Sequence, residues 1–155
     1  MRRVLVVEDD PLVSETIRTA FLMSGGFEVD CAEDGETGLL ALAASNLDLA
    51  LVDYGLPKVP GLIVAKRALA RNIPIILMTG YGDAIAKAEE HQFPVLAKPF
   101  SIAELVVRFE QVVTEAKRLN EIARHPVEQG SVLRAGYRVS SDEWLHICER
   151  LGRTS

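Results

Sequence analysis

Residues 47–53 are Leu47-Asp48-Leu49-Ala50-Leu51-Val52-Asp53, a mostly apolar run that ends in an acid. A turn-rich stretch, Gly55-Leu56-Pro57-Lys58-Val59-Pro60-Gly61, follows almost at once. The run predicts a buried β-strand, and the turn predicts that Asp53 is its last residue. In open α/β sheets, ligands bind in the crevice outside the carboxyl ends of the strands, so Asp53 is well placed for chemistry.

Four further apolar runs lie on either side of this strand. They predict strands at residues 4–7, 27–31, 74–79 and 95–97. Apolar residues at helical spacing predict a helix after each of the five strands, at residues 11–24, 34–43, 62–71, 83–91 and 101–124. Strand and helix thus alternate five times with short connections, which predicts an α/β fold with a parallel sheet covered on both faces by helices.

Capping residues support two of these helices. Asp10 is a favourable N-cap and Pro11 a favourable first residue for the first helix. Ser101 and Glu104 have the spacing of a capping box and predict the start of the long fifth helix.

Polar residues end or directly follow four of the predicted strands. They are Glu8, Asp9, Asp53, Thr79 and Lys98. Because the carboxyl ends of parallel strands share one edge of a sheet, we expect these groups to converge. Three carboxylates at one place repel one another unless a cation joins them, and oxygen ligands favour a hard metal such as Mg²⁺. A lysine and a hydroxyl suit phosphate oxygens, so the set predicts a site that stabilises a phosphoryl group on a carboxylate.

Four motifs in order resemble the receiver domains of two-component response regulators. They are Val6-Val7-Glu8-Asp9-Asp10, Asp53-Tyr54-Gly55-Leu56-Pro57, Met78-Thr79-Gly80 and Lys98-Pro99-Phe100. Each motif alone is weak, but the ordered set is specific, and the resemblance covers residues 1–120. It implies a flavodoxin-like doubly wound sheet of five strands in the order 2-1-3-4-5. It also implies a cis peptide bond between Lys98 and Pro99.

The resemblance implies a role for each site residue. Asp53 would accept a phosphoryl group from a phosphohistidine on a sensor histidine kinase or phosphotransfer protein. Glu8, Asp9, Asp53 and the backbone carbonyl of Gly55 would hold Mg²⁺. Thr79 and Lys98 would bind the phosphoryl oxygens. These roles describe a response regulator in phosphorelay signal transduction, a phosphoprotein rather than an enzyme.

The chain departs from that family pattern at three places. Val95 occupies the position, three residues before the lysine, where the family usually has an aromatic residue that reports phosphorylation. Pro60 replaces a residue that is often acidic. The segment from Thr79 to Lys98 is shortened by about three residues relative to the family. We therefore expect phosphorylation to be signalled by a different route.

Composition limits the partners of the chain. Of its 155 residues 48% are hydrophobic and 25% charged, and its net charge is −5. Residues 125–155 contain four acidic and four basic residues, so the negative charge lies in residues 1–124. Neither part is a basic patch, so we expect no direct DNA binding. No apolar run is long enough for membrane insertion and no signal peptide is evident, which predicts a cytoplasmic protein. The two cysteines are distant in sequence, and we expect them to be unpaired and partly buried.

Residues 121–155 are predicted to form a C-terminal extension. The long helix continues past the length that packing on the sheet requires, and a polar link at 128–131 follows it. A short strand is expected at 137–139 and an amphipathic helix at 140–152, with Trp144, Ile147, Cys148 and Leu151 on one face. The extension could pack on the receiver or complete a homodimer, and output is expected through a downstream protein partner.

Two other functions remain open from the sequence. The receiver fold could serve only as a docking or dimerisation scaffold. A Mg²⁺-dependent phosphohydrolase of the haloacid dehalogenase type is less favoured, because such enzymes have two aspartates separated by one residue, D-x-D, after the first strand. Residues 8–10 are Glu8-Asp9-Asp10, which do not form that motif, and such an enzyme would leave Asp53 without a role.

Overall fold

The computed structural model describes residues 1–80, 82, 85–86, 90–124, 132–134 and 137–139. Five strands form a parallel sheet in the order β2-β1-β3-β4-β5, which confirms the predicted flavodoxin-like α/β fold. The strands are β1 (Arg2–Val7), β2 (Phe27–Ala32), β3 (Leu49–Asp53), β4 (Ile75–Thr79) and β5 (Val95–Ala97).

Helices cover both faces of this sheet. They are α1 (Pro11–Ser24), α2 (Gly35–Ala44), α3 (Gly61–Ala70) and the long helix (Ile102–Arg124). Side chains alternate along β1: Val4 and Val6 pack with α1 and the long helix, whereas Leu5 and Val7 pack with α2 and α3. Both sets are fully buried, as the continuous apolar runs of a doubly covered sheet predict.

The predicted caps determine where the helices begin. The Asp10 carboxylate accepts hydrogen bonds from the backbone N–H groups of Leu12 and Val13, at 2.9 and 3.4 Å. Ser101 and Glu104 form the predicted capping box: Glu104 Oε2 accepts from the Ser101 N–H at 2.7 Å, and Ser101 Oγ accepts from the Glu104 N–H at 3.2 Å. Side chains therefore satisfy donors that a helix start leaves unpaired.

An aromatic cluster anchors the long helix to the rest of the domain. Phe109 contacts Phe21 and Phe27 edge-on, with ring centroids 5.6 and 5.1 Å apart. The Arg2 guanidinium lies over the Phe27 and Phe109 rings, 4.9 and 5.3 Å from their centroids. Among residues 102–121 of this helix, whose burial is described, the last fully buried side chain is Val113, and the helix continues to Arg124. That its last turns project beyond the sheet stays a prediction.

Several expectations concern the parts of the chain around this core. The predicted helix at 83–91 lies mostly outside the described residues. The predicted amphipathic helix at 140–152 lies wholly outside them. The expected strand at 137–139 is present as β7 (Tyr137–Val139), and it pairs antiparallel with β6 (Val132–Arg134), which the sequence interpretation missed. Among the described residues, no helix is both long and apolar enough to cross a bilayer.

One expectation was wrong. Cys31, expected to be partly buried, is exposed. It lies on β2, an outer strand of the sheet, with one neighbouring strand in place of two.

Candidate functional site

The polar strand ends converge as predicted. Asp53 and Thr79 are the last residues of β3 and β4, while Glu8 and Lys98 directly follow β1 and β5. Register places Asp53 beside Met78 and Thr79 beside Ala97, so the four strands finish at the same edge. The parallel topology therefore assembles groups from positions 8, 53, 79 and 98.

Lys98 joins two of the carboxylates. Its Nζ lies 2.7 Å from Oε2 of Glu8 and 3.2 Å from Oδ1 of Asp53. Glu8 and Asp53 are only 3% and 8% exposed, whereas the Lys98 side chain is 26% exposed. A half-buried ammonium thus neutralises part of the charge of two buried acids, which water would otherwise stabilise.

Burial sets the protonation behaviour of Glu8. It raises the pKa of this carboxyl above its usual value, and the charge of Asp53 adds to the rise. Hydrogen bonds from Lys98 and from the Asp10 N–H act in the opposite direction without cancelling it. For Lys98, burial lowers the pKa of the ammonium, but the hydrogen bond to Glu8 and the charges of Asp53 and Glu8 outweigh burial and raise it. Lys98 is therefore a fixed positive charge.

The acidic groups also have the arrangement of a cation site. One carboxylate oxygen from each of Glu8, Asp9 and Asp53 lies within 4.8 Å of the others. Asp9 is exposed, so a cation could enter from solvent. Three carboxylates outnumber the single ammonium of Lys98, and their all-oxygen donor set fits a hard divalent ion such as Mg²⁺.

The loop after β3 is held by close backbone packing. A Cβ added to Gly61 would stand 2.0 Å from the carbonyl oxygen of Asp53 and 3.0 Å from Cα of Tyr54. The Tyr54 N–H donates to the Met78 carbonyl at 2.8 Å. A Cβ added to Gly55 would stand 3.5 Å from Oδ2 of Asp53, so the backbone of Gly55 borders the carboxylate. These contacts hold the backbone that carries the Asp53 carboxylate.

The structure adds two contacts that the sequence interpretation missed. Gly61 was treated only as part of a turn, and Arg108 was not considered. The Arg108 guanidinium binds the backbone carbonyl of Val95, at the position where the family usually has an aromatic residue. A glycine at the start of a helix hints at close packing, but no local signal marks Arg108. The Lys98–Pro99 peptide bond is cis, as the resemblance implied.

Comparison with known protein families gives a match to the response regulator receiver domain over residues 4–110. The match includes every predicted site residue and ends within the long helix. It leaves residues 111–155 outside.

Curated relatives are regulators longer than this chain. The DNA-binding dual master transcriptional regulator RpaA of Synechocystis sp. is 30% identical over 132 residues, which are 81% of this chain and 54% of that protein. The uncharacterized transcriptional regulatory protein YcbL of Bacillus subtilis is 30% identical over 162 residues, 93% of this chain and 71% of that protein. The chain spans about half the length of RpaA, and a third of the length of the regulatory protein AtoC of Escherichia coli.

Solved structures share the fold. A CheY-like receiver domain protein from Methanospirillum hungatei superposes with a TM-score of 0.69 at 22% identity, covering 77% of this chain and 98% of that one. The response regulator TrrA of Thermotoga maritima, solved in complex with Mg²⁺-BeF, has a TM-score of 0.65 at 30% identity. It covers 72% of this chain and 99% of that one.

Proposed function

The chain belongs to the response regulator receiver domain family of two-component systems, and from that membership we propose that Asp53 accepts a phosphoryl group from a phosphohistidine. The donor is a sensor histidine kinase or a phosphotransfer protein. The observation that carries the proposal is the contact of Lys98 with both Glu8 and Asp53 beside the three-carboxylate cluster. This arrangement supports the proposal because it brings a buried carboxylate, a positive charge and a cluster of oxygen donors to one sheet edge.

The proposed reaction is a simple displacement at phosphorus. A carboxylate oxygen of Asp53 attacks the phosphorus atom, and the P–N bond to the donor imidazole breaks. The imidazole keeps the electron pair and takes up a proton, while Asp53 becomes an acyl phosphate. Phosphoryl transfer needs mainly positioning and charge neutralisation, and the packing of Gly61 against Asp53 supports such positioning.

Two side chains are proposed to receive the transferred group. Lys98 turns its ammonium from the Asp53 carboxylate to a phosphoryl oxygen, a small change because the Nζ already lies 3.2 Å from Oδ1. Thr79, buried at the end of β4, offers a hydroxyl donor from the neighbouring strand. Donors that are already in place need little reorganisation during the reaction, so the free energy of reorganising them is small.

Glu8, Asp9, Asp53 and the carbonyl of Gly55 are proposed to hold Mg²⁺. The fit rests on the oxygen donors within 4.8 Å and on the excess of carboxylates over ammonium groups. When bound, Mg²⁺ supplies charge neutralisation at the phosphoryl oxygens.

Output is proposed to pass through contacts with a downstream protein. RpaA is named as a DNA-binding regulator, but this chain spans about half of it, and DNA binding is not carried over here. The net charge of −5 opposes direct contact with a phosphate backbone. Homodimer formation through the end of the long helix stays a prediction.

The test is phosphorylation by acetyl phosphate with and without Mg²⁺, followed by intact mass. We expect one phosphoryl group, dependent on Mg²⁺ and absent in Asp53→Asn. The matched control is Asp48→Asn, since Asp48 lies just before β3, at its other end, and its carboxylate accepts a hydrogen bond from the Arg3 backbone N–H. Undiminished phosphorylation of Asp53→Asn would refute the assignment, and sustained turnover of phosphomonoesters would favour a phosphohydrolase instead.

A further inference from the structure

Strand β5 has a free edge beside the site. It is three residues long and the last strand of the sheet, and β4 is the one described strand that pairs with it. The Pro94 carbonyl accepts from the Leu77 N–H and the Lys98 N–H donates to the Thr79 carbonyl, both at 2.8 Å. Because alternate residues of a strand direct their backbone groups to the same side, the Val95 carbonyl points away from β4.

Arg108 of the long helix occupies this free edge. Its Nε and Nη2 donate to the Val95 carbonyl oxygen at 3.2 and 3.0 Å. Arg108 itself is half-buried, and its neighbours along the helix, Leu105 and Phe109, are buried in the core. The guanidinium is therefore attached to a rigid support, and a charged fork binds a backbone acceptor that the sheet leaves unpaired.

We propose that Arg108 is a positioning residue for Lys98. Val95 lies three residues before Lys98 on one short segment, which β4 holds on one side and Arg108 on the other. The inference rests on the proposed function, because Lys98 matters for transfer only if Asp53 is phosphorylated. By this proposal the long helix supplies, through Arg108, a contact that holds β5, the strand directly before Lys98.

The short distances between Lys98 and its two acidic partners make the exact placement of the Lys98 backbone important. The Lys98 ammonium must remain near both Glu8 and Asp53, at 2.7 and 3.2 Å. Hydrogen bonds weaken steeply as their geometry departs from optimal. A displacement of about 1 Å in a catalytic group can lower a rate by roughly a hundredfold. In the described part of the chain, the backbone of this short strand is held by its pairing with β4 and by the contact with Arg108.

The test compares Arg108→Met with wild type and with the control Arg118→Met. Arg118 lies on the same helix, ten positions after Arg108, and its guanidinium pairs with the Glu115 carboxylate of that helix. In Arg108→Met we expect the maximal rate of phosphorylation by acetyl phosphate to fall about tenfold, while the half-saturating donor concentration changes little. The Lys98 amide, measured by hydrogen exchange in the unphosphorylated protein, should exchange faster. Arg108→Lys, which keeps one donor, should recover part of both effects.

Three results would overturn the proposal. The first is an Arg108→Met protein with unchanged rate and unchanged exchange at Lys98. The second is a rate loss that matches the unfolded fraction, which would make Arg108 purely structural. The third is an equal effect in Arg118→Met. If the wild type is not phosphorylated at all, the proposed function fails, and the exchange of the Lys98 amide still decides whether Arg108 holds the strand.

Discussion

Gly61 lies against the backbone of Asp53 so closely that any side chain at position 61 would collide with it. An added Cβ would stand 2.0 Å from the Asp53 carbonyl oxygen. That oxygen is backbone and cannot rotate aside, so the start of α3 or the end of β3 would have to move. The first residue of α3 thus determines where the proposed phosphoacceptor stands.

Gly61→Ala should therefore lower both stability and phosphorylation. We expect a loss of about 1–3 kcal/mol in the free energy of unfolding, as for overpacked sites, and slower labelling by acetyl phosphate. Urea denaturation and intact mass measure the two effects. Gly82→Ala is the control, because no described residue lies within 4 Å of a Cβ at that exposed position. Equal behaviour of the two variants would contradict the steric argument.

The buried carboxyl of Glu8 should make stability depend on pH. Burial raises the pKa of Glu8 in the folded protein, so the folded state binds this proton more tightly than the unfolded state. Stability then falls as pH rises from the unfolded pKa through the raised folded pKa. Glu8→Gln should gain stability relative to wild type across that interval in Mg²⁺-free buffer, with a constant difference above it. Urea denaturation at a series of pH values measures the difference, and a difference that does not vary with pH would refute the prediction.

The capping carboxylate of Glu104 should have the opposite pH dependence. Its hydrogen bond from the Ser101 N–H lowers the pKa of Glu104 in the folded protein. Its stabilising effect is therefore complete above the unfolded pKa and is lost as pH falls through the folded pKa. Glu104→Gln should be less stable than wild type at neutral pH and approach it in acid. Thermal unfolding at several pH values measures the effect, and a difference between Glu104→Gln and wild type that stays the same in acid would contradict it.

Removal of residues 121–155 should leave the core intact. Among residues 102–121 of the long helix, whose burial is described, Val113 is the last buried side chain, so the described core loses no buried group. We expect the unfolding free energy of residues 1–120 to match the full chain within about 0.5 kcal/mol, as for changes outside a core. Urea denaturation measures it. A larger loss would show that the extension packs on the receiver and would move the domain boundary beyond residue 120.

Local chemistry explains why much of the fold could be predicted. The cap at Asp10 and the box formed by Ser101 and Glu104 depend on residues a few positions apart, and the structure contains both. The short strand at 95–97 has the predicted bounds because an apolar run lies between Pro94 and Lys98. The convergence of the strand ends follows from parallel topology alone.

Contacts between distant residues could not be predicted in this way. The hydrogen bond between Lys98 and Glu8 joins residues 90 positions apart in the sequence. The close approach of Gly61 to Asp53 depends on the path of the loop between them. The Arg108 contact needs the orientation of the long helix against an outer strand. Strand β6 was missed because Val132–Arg134 is short and follows a polar link, so its pairing with β7 has no strong pattern.

Among the described side chains of the long helix, Val113 is the last that is fully buried, and eleven residues follow it to Arg124. Those residues measure about 16 Å at 1.5 Å per residue. A tilt of about 5° at Val113 would move the far end by about 1.4 Å. That distance is similar to the displacement of about 1 Å in a catalytic group that can lower a rate by roughly a hundredfold.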